Sequence, residues 1–224
     1  MAKQNVNDKE ALRRENIQET VSKTDQFYNE HKKTIWTVVA ILAVLALAIY
    51  GYVRLIYQPK CAEAQQQAYP AEQIFSTGEY ELALKGDGNV LGLADVVEQY
   101  GRKAGDAVLF EAGVCALKLG EYEDAVKYLK RYKGKEPILS ARATACLGDA
   151  YAGVGRNADA VAAYLKAANM GDNVIAASYL LKAGILSEQM GNNQKALECY
   201  KAIKDKYPSS AEGYDVDKYI TRLQ

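Results

Sequence analysis

Gly120-Glu121-Tyr122-Glu123-Asp124-Ala125 recurs as Gly155-Arg156-Asn157-Ala158-Asp159-Ala160, and again as Gly191-Asn192-Asn193-Gln194-Lys195-Ala196. The spacings are 35 and 36 residues. A fixed period of that length marks supersecondary units that stack because no single unit can bury its own apolar face. Gly78-Glu79-Tyr80-Glu81-Leu82-Ala83 is a fourth copy, 42 residues ahead of Gly120. An insertion therefore separates it from the rest. That insertion holds Gly86-Asp87-Gly88-Asn89, a turn sequence.

The residues before each hexad repeat at helical spacing. Leu109, Ala112, Gly113 and Ala116 precede the first of the three regular copies. Thr144, Leu147, Gly148 and Tyr151 precede the second, and Leu180, Ala183, Gly184 and Ser187 the third. All three sets use offsets 0, 3, 4 and 7, one face of a helix. A second helix follows each hexad, carrying Leu129, Tyr164 or Tyr200 and then Tyr132, Ala167 or Ile203. The hexad glycine (Gly120, Gly155, Gly191) is expected to end the first helix in a left-handed conformation. Gly113, Gly148 and Gly184 let the partner helix approach, and Ala125, Ala160 and Ala196 pack in the crook of the pair. This pattern resembles the tetratricopeptide repeat, with copies at 106–139, 141–174 and 177–210 and a degenerate copy around 61–100. Leu109, Thr144 and Leu180 stand where the repeat usually has an aromatic. Residues 209–224 read as a capping helix after Pro208. The expected fold class is all-α, a solenoid of about four helix pairs.

Ile35 to Val53 is a run of 19 residues without a charge. At ~1.5 Å per residue it spans about 28 Å, close to a hydrocarbon core of about 30 Å. Trp36 stands at one edge and Tyr50, Tyr52 and Tyr57 at the other, as interfacial belts do. Arg54 can snorkel. A polar stretch of 34 residues comes first, and Ala46-Leu47-Ala48, the only cleavage-like triplet, lies inside the run. The run is therefore expected to be a retained signal anchor over 35–57. Lys32 and Lys33 abut its N-terminal side, while no Lys or Arg occurs in the fifteen residues after Lys60. The bias predicts a cytoplasmic N-terminus and an exported C-terminal part. Residues 1–34 form a polar tail in which Ile17, Val21, Thr24 and Tyr28 keep helical spacing, so a short amphipathic helix is possible there. The expected domains are thus 1–34, 35–57, a degenerate repeat and spacer over 58–105, three repeats over 106–208 and the cap over 209–224.

Composition narrows the chemistry. The 28 Lys and Arg balance 28 Asp and Glu, which excludes nucleic acid as the main ligand, because phosphate binding needs a basic surplus. His31 is the one histidine, and it sits in the polar tail. Cys61, Cys115, Cys146 and Cys199 are scattered without a paired motif. They read as buried or idle thiols, with a Cys115–Cys146 bridge as the alternative. No phosphate-binding loop, zinc-protease motif or nucleophile elbow occurs. Asp87 stands almost alone in its loop, short of a calcium site. No enzyme activity, cofactor or metal is expected.

Binding is left. First helices of stacked pairs line a concave groove. By register its lining is Ala107, Phe110, Val114, Leu117 and Lys118 from one unit, then Arg142, Ala145 and Asp149, then Leu181, Ile185 and Glu188. Half of these side chains read equally well as core between helices. Asn is missing from the set and cations are sparse, which argues against a clamp for carboxylate tails.

The order of polar tail, signal anchor and exported repeats resembles the YfgM-like family, the ancillary subunit of the bacterial Sec translocon, in a Bacteroidetes flavour. The resemblance is carried by Glu79-Tyr-Glu-Leu-Ala-Leu-Lys-Gly-Asp-Gly88, by Tyr179-Leu-Leu-Lys-Ala-Gly184 and by Ile203-Lys-Asp-Lys-Tyr-Pro-Ser-Ser210. It implies an inner-membrane protein whose periplasmic repeats contact the translocon, a membrane-anchored chaperone or emerging envelope proteins. A scaffold for envelope assembly or cell division, and a regulator signalling through residues 1–30, remain the other readings.

Overall fold

The computed structural model describes Tyr28, residues 30–171 and residues 174–224. Ile17, Val21 and Thr24 of the tail stripe lie outside the described residues. The chain divides into two units that part between Gln58 and Pro59.

In the first unit, helix α1 (residues 30–52) runs into a π-helical turn, Val53–Tyr57. The apolar stretch is long and apolar enough to cross a membrane, with a mean hydropathy of 2.3 over its best 18 residues and none of that window buried. Its side chains point outward all round the helix, Leu47 at 69 % exposure and Ile49 at 64 %. A helix apolar on every side has no stable place in water without a covering surface. Trp36 donates from Nε1 to the Tyr28 hydroxyl at 3.3 Å. Tyr50 and Tyr52 are exposed at the other end, and Arg54 donates to Gln58 Oε1 at 2.8 Å.

Among its described residues the second unit is built of helices joined by turns and loops. Its helices are α2 (Gln58–Thr77), α3 (Tyr80–Lys85), α4 (Leu93–Tyr100), α5 (Asp106–Leu119), α6 (Tyr122–Leu129), α7 (Pro137–Gly153), α8 (Asn157–Ala168), α9 (Ile175–Gln189), α10 (Asn193–Lys206) and α11 (Ala211–Arg222). Among the described residues there is no strand, only an isolated bridge from Gly86 to Leu91.

Three hairpins, α5–α6, α7–α8 and α9–α10, are built alike. Gly120, Gly155 and Gly191 have φ of 77°, 76° and 78°. Each is followed by a backbone N–H that reaches back to the last turn: Glu121 to Ala116, Arg156 to Tyr151 and Asn192 to Ser187, at 2.8, 2.8 and 2.9 Å. This is the Schellman closure, and it needs the left-handed residue that glycine supplies. Ala125, Ala160 and Ala196 have no exposed surface. A Cβ on Gly113 would lie 2.5 Å from Leu129 Cγ, and one on Gly148 would lie 2.6 Å from Tyr164 Cε1. Gly184 faces the Tyr200 ring in the same way. The 16-residue step from each glycine to its large partner is thus one packing contact made three times.

The fourth copy keeps the turn but not the hairpin. Gly78 has φ 87° and Ala83 is fully buried. The inserted loop then breaks the second helix into α3 and α4. Asp87 closes that loop by accepting from the N–H groups of Asn89 and Val90 at 2.9 and 2.8 Å. Those bonds hold its carboxyl below the usual range. The turn reading of this loop agrees with its geometry.

The core spans the repeats. Ala68 and Ala71 of α2, Leu93 and Val96 of α4 and most of α5 form one buried cluster. A second joins Tyr200, Ile203, Val216 and Ile220, so α11 covers the open end of the stack. Ser210 caps α11 by accepting from Gly213 N–H at 2.9 Å. Thr144, Leu147 and Tyr151 are half-buried; Leu147 packs against the first cluster and Tyr151 against a third, around Ala160 and Tyr164. All three line a cleft of about 400 Å3 with Ala162 and Ala163, whose small side chains do not fill the space. All four cysteines are free thiols, so the Cys115–Cys146 bridge is not formed.

Candidate partner-binding groove

Helices α5 and α7 lie side by side and leave a groove of about 470 Å3 between them. Val114, Leu117 and Lys118 enter from α5, and Arg142, Cys146 and Asp149 from α7. Tyr122 and Tyr164, from the second helices, also line it. These α5 and α7 residues recur at helical spacing, three, four and seven apart, which is why one face of each helix supplies them.

Asp149 is the electrostatic centre. It accepts from the Tyr164 hydroxyl at 2.7 Å. Lys182 Nζ, on α9, donates to its two carboxylate oxygens at 2.7 and 2.9 Å. One carboxylate thereby ties α7, α8 and α9. Burial, reinforced by the bond to Asp149, raises the Tyr164 phenol well above its ordinary pKa. Burial also raises the Cys146 thiol, which leaves it a protonated, weakly nucleophilic group.

Lys118 and Arg142 make no ion pair among the described residues. Lys118 lies 6.0 Å from the Tyr80 ring centre, and the Arg142 guanidinium 5.8 Å from that of Phe110. Since Lys182 already neutralises Asp149, the groove presents an apolar floor with two unpaired cations.

Of the residues expected to line the groove, Val114, Lys118, Arg142 and Asp149 come together here. Leu117 joins them. Phe110 does not: it is only 7 % exposed, stacks edge-on against Tyr132 at 6.3 Å, and belongs to the core. Its position off the stripe of its own hairpin is explained by contacts beyond that stripe, with Tyr132 after α6 and with Arg142 of α7. Ala145 is buried for the same kind of reason. Leu181 and Ile185 are half-buried on α9, and Leu181 packs against the C-terminal cluster. Glu188 is engaged elsewhere. It accepts from Arg222 of α11 at 2.8 Å and from the Tyr200 hydroxyl at 3.1 Å, and the Arg222 bond lowers its pKa. It fastens the cap and does not face the α5–α7 groove. Tyr122, Cys146, Tyr164 and Lys182 complete the site without having been assigned to it. Tyr122 and Tyr164 carried a sequence signal only as repeat positions.

Among the described residues no group of three or more His, Cys, Asp or Glu is arranged to hold a metal ion.

Residues 107–137 and 178–210 match the tetratricopeptide repeat model. Two crystal structures share the fold. That of MamA aligns with a TM-score of 0.52 at 19 % identity, covering 68 % of this chain and 91 % of that one. A second MamA crystal structure gives 0.51 at 18 % identity, covering 73 % and 86 %. No curated protein sequence matches the chain. The all-α, tetratricopeptide-type solenoid expected from the hexads is the fold observed, and repeats of this kind are protein–protein interaction modules.

Proposed function

We propose that this chain is a membrane-anchored adaptor, without catalytic activity, that captures protein segments in the α5–α7 groove. The observation that carries the reading is the groove itself: an apolar floor of Val114 and Leu117 flanked by two cations that make no ion pair among the described residues. Such a surface suits an extended segment with apolar anchors and acidic neighbours. It differs from a pure carboxylate clamp in resting largely on burial, with charge setting orientation and encounter.

Residues 35–57 are the anchor in this proposal, with residues 1–34 in the cytoplasm of a bacterial inner membrane and the repeats in the periplasm. The uncharged run, its flanking aromatics and the basic residues at its N-terminal side support that topology. The resemblance to the YfgM-like family supports a role beside the Sec translocon, assisting export of envelope proteins or their transfer to a periplasmic chaperone. A scaffold for envelope assembly or division would use the same groove and is the second reading.

Copurification of the full chain in mild detergent separates these readings. Recovery of translocon subunits, lost on Lys118→Glu with Arg142→Glu, is the result expected. Recovery of division or outer-membrane assembly proteins instead would replace the translocon by the scaffold. Equal recovery with the double variant would remove the groove from the account.

A further inference from the structure

The strand of sequence from Lys127 to Lys135 holds five cations, Lys127, Lys130, Arg131, Lys133 and Lys135, with no acidic residue among them. None of them makes an ion pair among the described residues. Glu123 and Asp124 stand one helical turn before Lys127; three other acids around the remaining cations are already in use. Glu136 caps α7 by accepting from the N–H groups of Ile138 and Leu139, Asp106 accepts from Lys133 N–H, and Asp159 is bridged to Arg156. Lys130 and Lys133 border the same cleft as Lys166, from α8, so a third segment adds to the basic surface.

Exposed aliphatic side chains stand beside these cations. Ile138, three residues past Lys135, is 59 % exposed. It shares a small recess with Ile175, at the start of α9, which is 49 % exposed, and Val174 next to it is 58 % exposed. The α6–α7 junction and the start of α9 therefore put cations and bare aliphatics on one edge of the stack. Lys130, Lys133 and Lys166 border a cleft and Ile138 and Ile175 a shallow recess, while Ile138, Val174 and Ile175 keep their side chains exposed. A surface that is both cationic and aliphatic complements an anionic, deformable interface.

We propose that this edge docks on anionic lipid headgroups, with Lys130, Lys133, Lys135 and Lys166 at the phosphates and Ile138, Val174 and Ile175 dipping into the interface. The inference rests on the reading of residues 35–57 as a membrane span, which keeps the edge at high local concentration beside a bilayer. Docking of this kind orients the partner groove with respect to the membrane.

The test uses the full chain in vesicles with brominated acyl chains, made of phosphatidylcholine alone or with about 30 % phosphatidylglycerol. Trp36 is the only tryptophan and reports the span. A Trp36→Phe, Ile138→Trp chain reports the edge. Quenching of Trp36 is expected in both lipid mixtures. Quenching of the Ile138→Trp reporter is expected to be at least about twofold stronger with phosphatidylglycerol, and to vanish with Lys130→Gln, Lys133→Gln and Lys135→Gln or in about 0.5 M salt. Amide exchange of residues 133–140 in the unaltered chain should slow in the anionic vesicles, which guards against a reporter that disturbs α7. Quenched Trp36 with no lipid-dependent change at the edge by either readout overturns the docking and leaves the span standing. Unquenched Trp36 overturns the span and the docking with it. Protection of the same residues in neutral vesicles by polyglutamate or by single-stranded RNA, but not by phosphatidylglycerol, overturns the lipid in favour of that polyanion.

Discussion

Glu111 has a buried carboxylate oxygen, Oε2, that accepts no hydrogen bond among the described residues. Burial first, and the charge of Glu72 second, raise its pKa from 4.5 to about 7. Glu72 is itself raised by burial. The folded chain thus holds the Glu111 proton more tightly than the unfolded chain does. The linked stability is fully present below about pH 4.5 and is lost as pH rises through about 7. Because Glu111 is only half-buried, solvent screening reduces the effect to about 1 kcal/mol. Glu111→Gln should therefore melt higher than the unaltered chain at about pH 8, with the gap closing towards about pH 5. A gap that widens on acidification would reverse the assignment. Phe110→Ala belongs at this scale too. It removes a ring packed between Tyr132 and Arg142 and should cost about 3–5 kcal/mol. The thermal midpoint would register that loss before any binding assay did.

At the scale of the helix pair, stability depends on three places where nothing larger than glycine or alanine fits. Gly148→Ala sets a methyl against the Tyr164 ring, and Ala160→Leu fills a position with no exposed surface. Each should overpack the α7–α8 hairpin by about 1–3 kcal/mol. Urea denaturation measures this; an unchanged midpoint for both would mean the two helices do not meet where the hexads say. This layer was legible because its contacts are local. The Gly-to-Ala hexad and the 16-residue glycine-to-partner step lie within one hairpin, where helical period alone assigns faces. Faces between hairpins were not legible. Phe110 reads as surplus to the 0, 3, 4, 7 stripe because its contacts lie beyond that stripe, with Tyr132 past the end of α6 and with Arg142 of α7. Glu188 reads as groove lining because its partner, Arg222, is 34 residues away on a helix with no hexad. The Asp149–Lys182 tie crosses 33 residues in the same way. An i-to-i+4 argument has no access to such pairs, since they depend on how one hairpin seats on the next.

Across the whole chain, the proposed function joins two features, an anchor and a groove. The anchor predicts topology: a reporter active only in the periplasm, fused after Gln224, should be active, and a cytoplasm-only reporter at that position should be silent. The opposite pattern would turn the basic flank Lys32–Lys33 into a misleading signal. The groove predicts contact. Leu117 is half-buried and lines the groove between Lys118 and Val114, so a photo-activated cross-linking residue placed there would sit against any bound segment. Tyr214 of α11, 79 % exposed, provides a control remote in sequence. With the full chain in native membranes, the account predicts cross-links to a protein partner from position 117, suppressed by Lys118→Glu with Arg142→Glu, and few or none from position 214. Cross-links from position 214 with none from position 117 would contradict it, because recognition would then lie outside the groove.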